Sequence, residues 1–131
     1  MDLLQAVKER HSVRQYLDKP IEADKANKLK AFIDECNRES NFHFQLVLNE
    51  PKAFDNFMAH YGKFSGVQNY VALVAEKGKT TGEKIGYFGA KIVLFAQALG
   101  LNNCWVALTY KKVKTAFTVE HGEKLYSLIA L

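Results

Sequence analysis

Tyr70-Val71-Ala72-Leu73-Val74-Ala75 is an uninterrupted apolar run of strand length. A strand with one face in water alternates apolar and polar residues, and this one offers no polar face. It therefore predicts a strand covered on both sides. The rest of the chain must supply material for two flanking layers. The segment after it does so at once. Between Gly82 and Leu99 the apolar residues Ile85, Phe88, Ile92, Val93, Phe95, Ala96 and Leu99 cover much of a helical circumference. That spread predicts a largely buried helix, and Gly100 provides the left-handed residue that ends it.

The remaining elements follow from shorter patterns. Asp2 can cap a first helix, with Leu3, Leu4 and Val7 on one face, ending near Arg10. Pro20 keeps the residue before it out of the helical region, so a second helix is expected from about Glu22. Its stripe is Leu29, Phe32, Ile33 and Cys36. Phe42, Phe44, Leu46 and Leu48 alternate with His43, Gln45 and Val47, predicting a strand with one strongly apolar face. Pro51 can open a short helix through Phe54, Phe57 and Met58. A strand at Cys104–Leu108, a basic helical turn near Lys112 and a strand at Leu125–Leu131 complete the order α, α, β, α, β, α, β, α, β. This order predicts an α+β fold, helices around one sheet, in a single domain spanning residues 1–131. The last residues, Leu128-Ile129-Ala130-Leu131, fall in the middle of an apolar strand, so a further C-terminal segment is expected.

With 48% hydrophobic and 24% charged residues, the chain reads as an ordinary globular protein. No apolar run reaches the roughly eighteen residues needed to span a bilayer, and Asp2 and Glu9 exclude a secretory signal at the N-terminus. The expected location is the cytoplasm, with reduced Cys36 and Cys104 packed as small apolar side chains. The net charge of +4 suits an anionic ligand. Lys111, Lys112 and Lys114 form the one tight basic cluster, a footprint for nucleic acid without a recognition motif.

Chemistry is best represented at Arg10-His11-Ser12-Val13-Arg14, immediately after the first helix. The planar fork of arginine donates paired hydrogen bonds to phosphate, and a neighbouring hydroxyl adds a donor. The same cations would also complement a helix C-terminus, and spacing alone favours that second reading. Neither G-x-G-x-x-G nor G-x-x-x-x-G-K-S/T occurs. No serine lies in a nucleophile elbow, neither cysteine has a basic partner nearby, and the four histidines lack metal-ligand spacing. No catalytic side chain and no metal are expected. Gly86 and Gly89 sit within a helix, where glycine costs about 1 kcal/mol against alanine. Such a pair marks close approach of another element or of a planar ligand, packing being the commoner cause.

Three segments, in order, resemble the nitroreductase family. Arg10-His11-Ser12-Val13-Arg14 with Tyr16 and Lys19-Pro20-Ile21 is similar to its N-terminal Arg-(Arg/His)-Ser-x-(Arg/Lys)-x-(Phe/Tyr) signature. Ile85-Gly86 through Leu99-Gly100-Leu101-Asn102-Asn103-Cys104-Trp105 is similar to its core helix and following Leu-Gly-Leu-x-x-Cys-Trp. Leu125 to Leu131 is similar to the strand that leads into a Gly-Tyr-Gly turn. The resemblance implies a mixed, mainly antiparallel sheet, an intimate homodimer, and FMN at the dimer interface. NAD(P)H would reduce the flavin, which would then reduce a small acceptor such as a nitroaromatic or quinone; nucleic acid and membrane are not implied as partners. By this resemblance Arg10 and Arg14 pair with the FMN phosphate, Ser12 with phosphate or ribityl, and His11 contributes its backbone. Lys63 is the cation near the flavin pyrimidine, Asn41 lies in the polar loop at the isoalloxazine edge, and Leu108 and Thr109 face flavin N5. The chain departs from the family where Asn41-Phe42-His43 replaces Gln-Pro-Trp, and where it ends before the family's C-terminal cations. A flavin-binding module of the same fold without turnover is the alternative, and a basic nucleic-acid-binding domain is the remote one.

Overall fold

A computed structural model describes residues 2–54, 64–107 and 116–131. Helix α1 spans Leu3–Glu9, and the Asp2 carboxylate accepts the backbone N–H of Gln5 at 2.8 Å, the predicted cap. Helix α2 spans Ala23–Ser40 and stops at Asn41, whose φ of 61° is left-handed. Asparagine is among the few non-glycine residues that visit that region readily. Strand β1 is Gln45–Val47, followed by a single 3-10 turn at Lys52–Phe54. Strand β2 is Tyr70–Glu76, helix α3 is Thr81–Ala98, and strands β3 and β4 are Cys104–Val106 and Glu123–Ala130. The left-handed Gly100 (φ 85°) follows α3, as predicted. The basic turn expected near Lys112 lies outside the described residues.

The sheet runs in the order β1-β2-β4-β3, and every neighbouring pair is antiparallel. Two isolated parallel bridges, Ser12 with Asn103 and Gln15 with Ser65, add the parallel element of the mixed sheet. The register of β2 on β4 slips between Leu73 and Val74, where Tyr126 is passed over. Such a bulge bends the strand and increases its twist.

Every residue from Tyr70 to Ala75 is fully buried, as the apolar run requires. Val71, Leu73 and Ala75 face α2 and α3, where they meet Leu29, Ile33, Ile92 and Ala96. Tyr70, Ala72 and Val74 face the opposite layer, built from Phe54, Phe64 and Val67. Leu29 and Ile92 have no exposed surface; burying such a side chain stabilises by roughly 1.5–3 kcal/mol.

Two expectations need correction. The strand expected at Phe42–Leu48 is only three residues long. Its apolar face holds except at its end: Phe42, Phe44 and Leu46 pack on the helix side and Val47, of the other register, joins the opposite core, but Leu48 is exposed. The sheet is covered on both faces, so alternate residues of β1 find separate cores. The apolar stripe of α1 is also not buried. Leu3, Leu4 and Val7 are more than half exposed, and small Ala6 alone is fully covered where α1 meets α3.

Candidate cofactor site

The polar segment after α1 does not continue as helix. Arg10 turns extended (φ −66°, ψ 130°), and the chain then threads between two loops. Val13 donates its N–H to the Asn103 carbonyl at 3.1 Å, just before β3. Two residues on, Ser65 donates to the Arg14 carbonyl and Tyr16 donates to the Ser65 carbonyl, both at 2.9 Å. The segment is thereby stitched to the β3 end of the sheet and to the loop before β2. Gly66 makes the second crossing possible: a Cβ there would lie 2.1 Å from the Tyr16 carbonyl oxygen, and its φ is +73°.

An extended run sends alternate side chains to opposite sides. Val13, Gln15 and Leu17 line a cleft of about 270 Å³ that reaches Lys25 at the start of α2 and Asn102. Arg10, Ser12 and Arg14 are not among its walls. Tyr16 does line it, and the charges of Arg10 and Arg14 both reach the Tyr16 hydroxyl. Burial pushes that phenol well above its usual range, the Cys104 thiol adds to the rise, and the two guanidiniums offset a small part of it. Tyr16 is thus a neutral donor, and its hydroxyl donates to the Val13 carbonyl, bracing the segment.

Arg10 is the most constrained of the cations. Its Nε donates to Asn103 Oδ1 at 2.8 Å, whereas its buried Nη2 has no partner among the described residues. An unpaired buried donor on a charged group is costly unless a ligand completes it. His11 is exposed, with its Nδ1 3.0 Å from the Glu9 carbonyl oxygen, and turns no charge toward the pair. Asn41 stands at the other end of the sheet. His43, two residues on, hydrogen-bonds Val74 and Glu123, whereas Asn103 adjoins the Cys104–Ala130 pairing. Along β2, four residue steps separate Val74 from Tyr70, which pairs with Ala130, about 14 Å of strand. The structure thus sets Arg10 and Arg14 near Tyr16 and Ser12 beside Asn103, with Asn41 elsewhere on the sheet, while Lys63, Leu108 and Thr109 lie outside the described residues.

Sequence reasoning missed Asn103 and the Ser65–Gly66 crossing. Two adjacent asparagines before a strand carry no signal that one of them is completely buried. The Gly86–Gly89 pair resolves into two cases. A Cβ at Gly89 would lie 2.3 Å from the Trp105 indole, so that glycine admits a ring of the same chain. Gly86 has nothing within 4 Å and remains open. Cys36 and Cys104 are buried free thiols, and burial raises the Cys36 thiol despite the nearby Lys91 charge. No group of three potential metal ligands occurs among the described residues.

The protein is thus an α+β layer fold in which one buried guanidinium nitrogen, Arg10 Nη2, has no partner among the described residues. The chain matches the family described as "Putative TM nitroreductase" over residues 2–131, and it belongs to that nitroreductase family. No curated protein matches it. A nitroreductase family protein from Clostridium novyi NT is similar in structure, with a TM-score of 0.72 at 20% identity over 99% of this chain and 83% of the other. A nitroreductase with bound FMN from Bacteroides fragilis has a TM-score of 0.70 at 22% identity, covering 99% of this chain and 87% of its own. A protein described as a putative NADH dehydrogenase/NAD(P)H nitroreductase from Bacteroides thetaiotaomicron has a TM-score of 0.73 at 19% identity, covering 98% and 83%. Among the described residues, no helix is long and apolar enough to cross a membrane.

Proposed function

We propose that the protein is an FMN-dependent oxidoreductase that accepts hydride from NAD(P)H and passes it to a nitroaromatic, a quinone or a similar small acceptor, working as a homodimer in the cytoplasm. The observation that carries this reading is the buried Nη2 of Arg10, without a partner among the described residues and close in sequence to Ser12 and Arg14, in a chain of the nitroreductase family. Those residues fit a phosphate monoester: the two guanidiniums offer charge-assisted donors, and the hydroxyl offers a neutral one. FMN would supply the hydride chemistry itself, so that no protein nucleophile or general base is required.

The chain's own part is to bind and orient. Arg10 and Arg14 hold the phosphate and Ser12 donates to it or to the ribityl chain, while His11 contributes backbone. Lys63 would stabilise negative charge at the pyrimidine end, and Leu108 and Thr109 would supply backbone donors at the other side of the ring. Asn41 would lie in the polar loop at the isoalloxazine edge. The exposed Leu3, Leu4 and Val7 of α1 and the exposed Tyr87 of α3 support the homodimer.

The test is the visible spectrum of the purified protein, followed by NADH or NADPH without oxygen. A flavin spectrum that bleaches supports the reductase. A flavin spectrum that persists supports the non-turnover module, and protein that takes up no added FMN refutes the reading. Arg10→Ala with Arg14→Ala should release FMN and leave the fold intact; unchanged occupancy would sink the phosphate assignment.

A further inference from the structure

Asn103 is completely buried, yet it makes four hydrogen bonds that join three parts of the chain. Its Nδ2 donates to the Val93 carbonyl of α3 at 3.1 Å and to the Leu101 carbonyl at 3.2 Å. Both partners accept only, so the amide can have one orientation, with Oδ1 turned toward Arg10. Oδ1 accepts from Arg10 Nε at 2.8 Å, and the Asn103 carbonyl accepts from Val13. The side chain and backbone of one residue therefore hold both Arg10 and the extended segment that carries Ser12 and Arg14.

The chemistry of the anchor matters as much as its position. A carboxylate at this point would also hold Arg10, but it would neutralise the guanidinium and turn an oxygen toward two carbonyls. A neutral amide engages Nε alone and leaves the full positive charge, with Nη2 unpartnered among the described residues, for an incoming anion. Arginine is needed for this arrangement because lysine has no second nitrogen partway along its side chain to be gripped.

We propose that Asn103 is a positioning residue for phosphate recognition: it fixes Arg10 through Nε so that Nη2 is presented, still charged, to the phosphate of the cofactor. The inference rests on the FMN reading above. It assigns to Asn103 a share in discriminating FMN from riboflavin, which differs from FMN only by lacking the phosphate.

The experiment measures FMN and riboflavin affinity by quenching of flavin fluorescence, with circular dichroism as the fold check. The proteins are the wild type, Asn103→Ser, Asn103→Asp, Arg10→Gln, Arg10→Lys and the double variant Arg10→Gln/Asn103→Ser. The expected result is that Asn103→Ser and Asn103→Asp each lower the FMN-over-riboflavin preference by about tenfold, one charge-assisted hydrogen bond's worth. Riboflavin affinity should change little. In the Arg10→Gln background Asn103→Ser should have no further effect on that preference, since Asn103 acts through Arg10. A wild-type protein that binds both flavins equally refutes the phosphate reading itself. A wild type that prefers FMN, a preference lost in Arg10→Gln but kept in folded Asn103→Ser and Asn103→Asp, refutes the role of Asn103 alone. Should the Asn103 variants fail to fold, Arg10→Lys decides. It keeps the charge without Nε, so the inference expects it to lose most of the preference, and wild-type preference in that variant overturns it.

Discussion

Gly66→Ala isolates the contact on which the candidate site's geometry depends. The added Cβ would lie 2.1 Å from the Tyr16 carbonyl oxygen and 3.0 Å from its carbon. Both are backbone atoms, so no rotamer change can relieve the clash. The Tyr16 backbone is also held in place, by Tyr16 N–H to Ser65 and Ser65 N–H to Arg14, each 2.9 Å. Relief therefore means losing both hydrogen bonds, about 0.5–1.5 kcal/mol each. The left-handed φ of +73° adds about 1–2 kcal/mol for any L side chain. The expected cost is about 2–5 kcal/mol, a large share of the roughly 5–15 kcal/mol by which domains are stable. Gly122→Ala is the matched control, because its φ is +85° and nothing lies within 4 Å of its added Cβ. It should cost only the left-handed strain, about 1–2 kcal/mol. Urea unfolding of the two variants, at one protein concentration because subunit contacts would shift the midpoint, gives both numbers. Equal costs would refute the claim that the Tyr16–Gly66 crossing is a rigid junction. Because the crossing also places Arg14, Gly66→Ala should lower FMN affinity more than riboflavin affinity, while Gly122→Ala should leave their ratio unchanged.

Gly89→Ala and Gly86→Ala should differ in sign: the first drives a methyl into the Trp105 ring and costs about 1–3 kcal/mol, offset in part by helix propensity, while the second meets open space and gains up to about 1 kcal/mol. A thermal melt of each variant decides it, and Trp105→Leu should restore much of the Gly89→Ala loss. Ile92→Ala, at a fully buried position between helix and sheet, should cost about 2–5 kcal/mol in denaturant unfolding. At the far end of the sheet, burial pushes the Glu123 carboxyl up, but the hydrogen bond to His43, the Glu120 amide and the His43 charge more than offset it, so its pKa lies below the ordinary value. A depressed carboxyl stabilises the fold above its unfolded pKa and loses that contribution as pH falls through the folded value. Glu123→Gln should accordingly be less stable than wild type at neutral pH, by at most about 1 kcal/mol. The two should converge under acid; a difference that stays constant with pH would contradict this pairing.

Much of the framework is legible in the residues themselves. The unbroken run at Tyr70–Ala75 requires cover on both faces, because no side chain in it tolerates water. The apolar spread of α3, the Asp2 cap and the left-handed Gly100 depend on local spacing and backbone sterics, which act within a few residues and so are written in the sequence. The Arg10–Arg14 cluster is equally visible, since two cations and a hydroxyl in five residues stand out by composition. Tertiary structure decided what distant segments do to one another. Whether Leu3, Leu4 and Val7 are buried depends on which helix α1 meets, and Val47 became core because a second layer closes over its face. Gly66 and Gly89 are indistinguishable from other glycines until Tyr16 and Trp105 arrive beside them. Asn103 looks like one of two adjacent polar residues until Val93, Leu101 and Arg10 converge on it, 10, 2 and 93 positions away in the chain. Local pattern fixes a residue's own conformation, whereas partnership across such separations is set by packing, which no short-range rule contains.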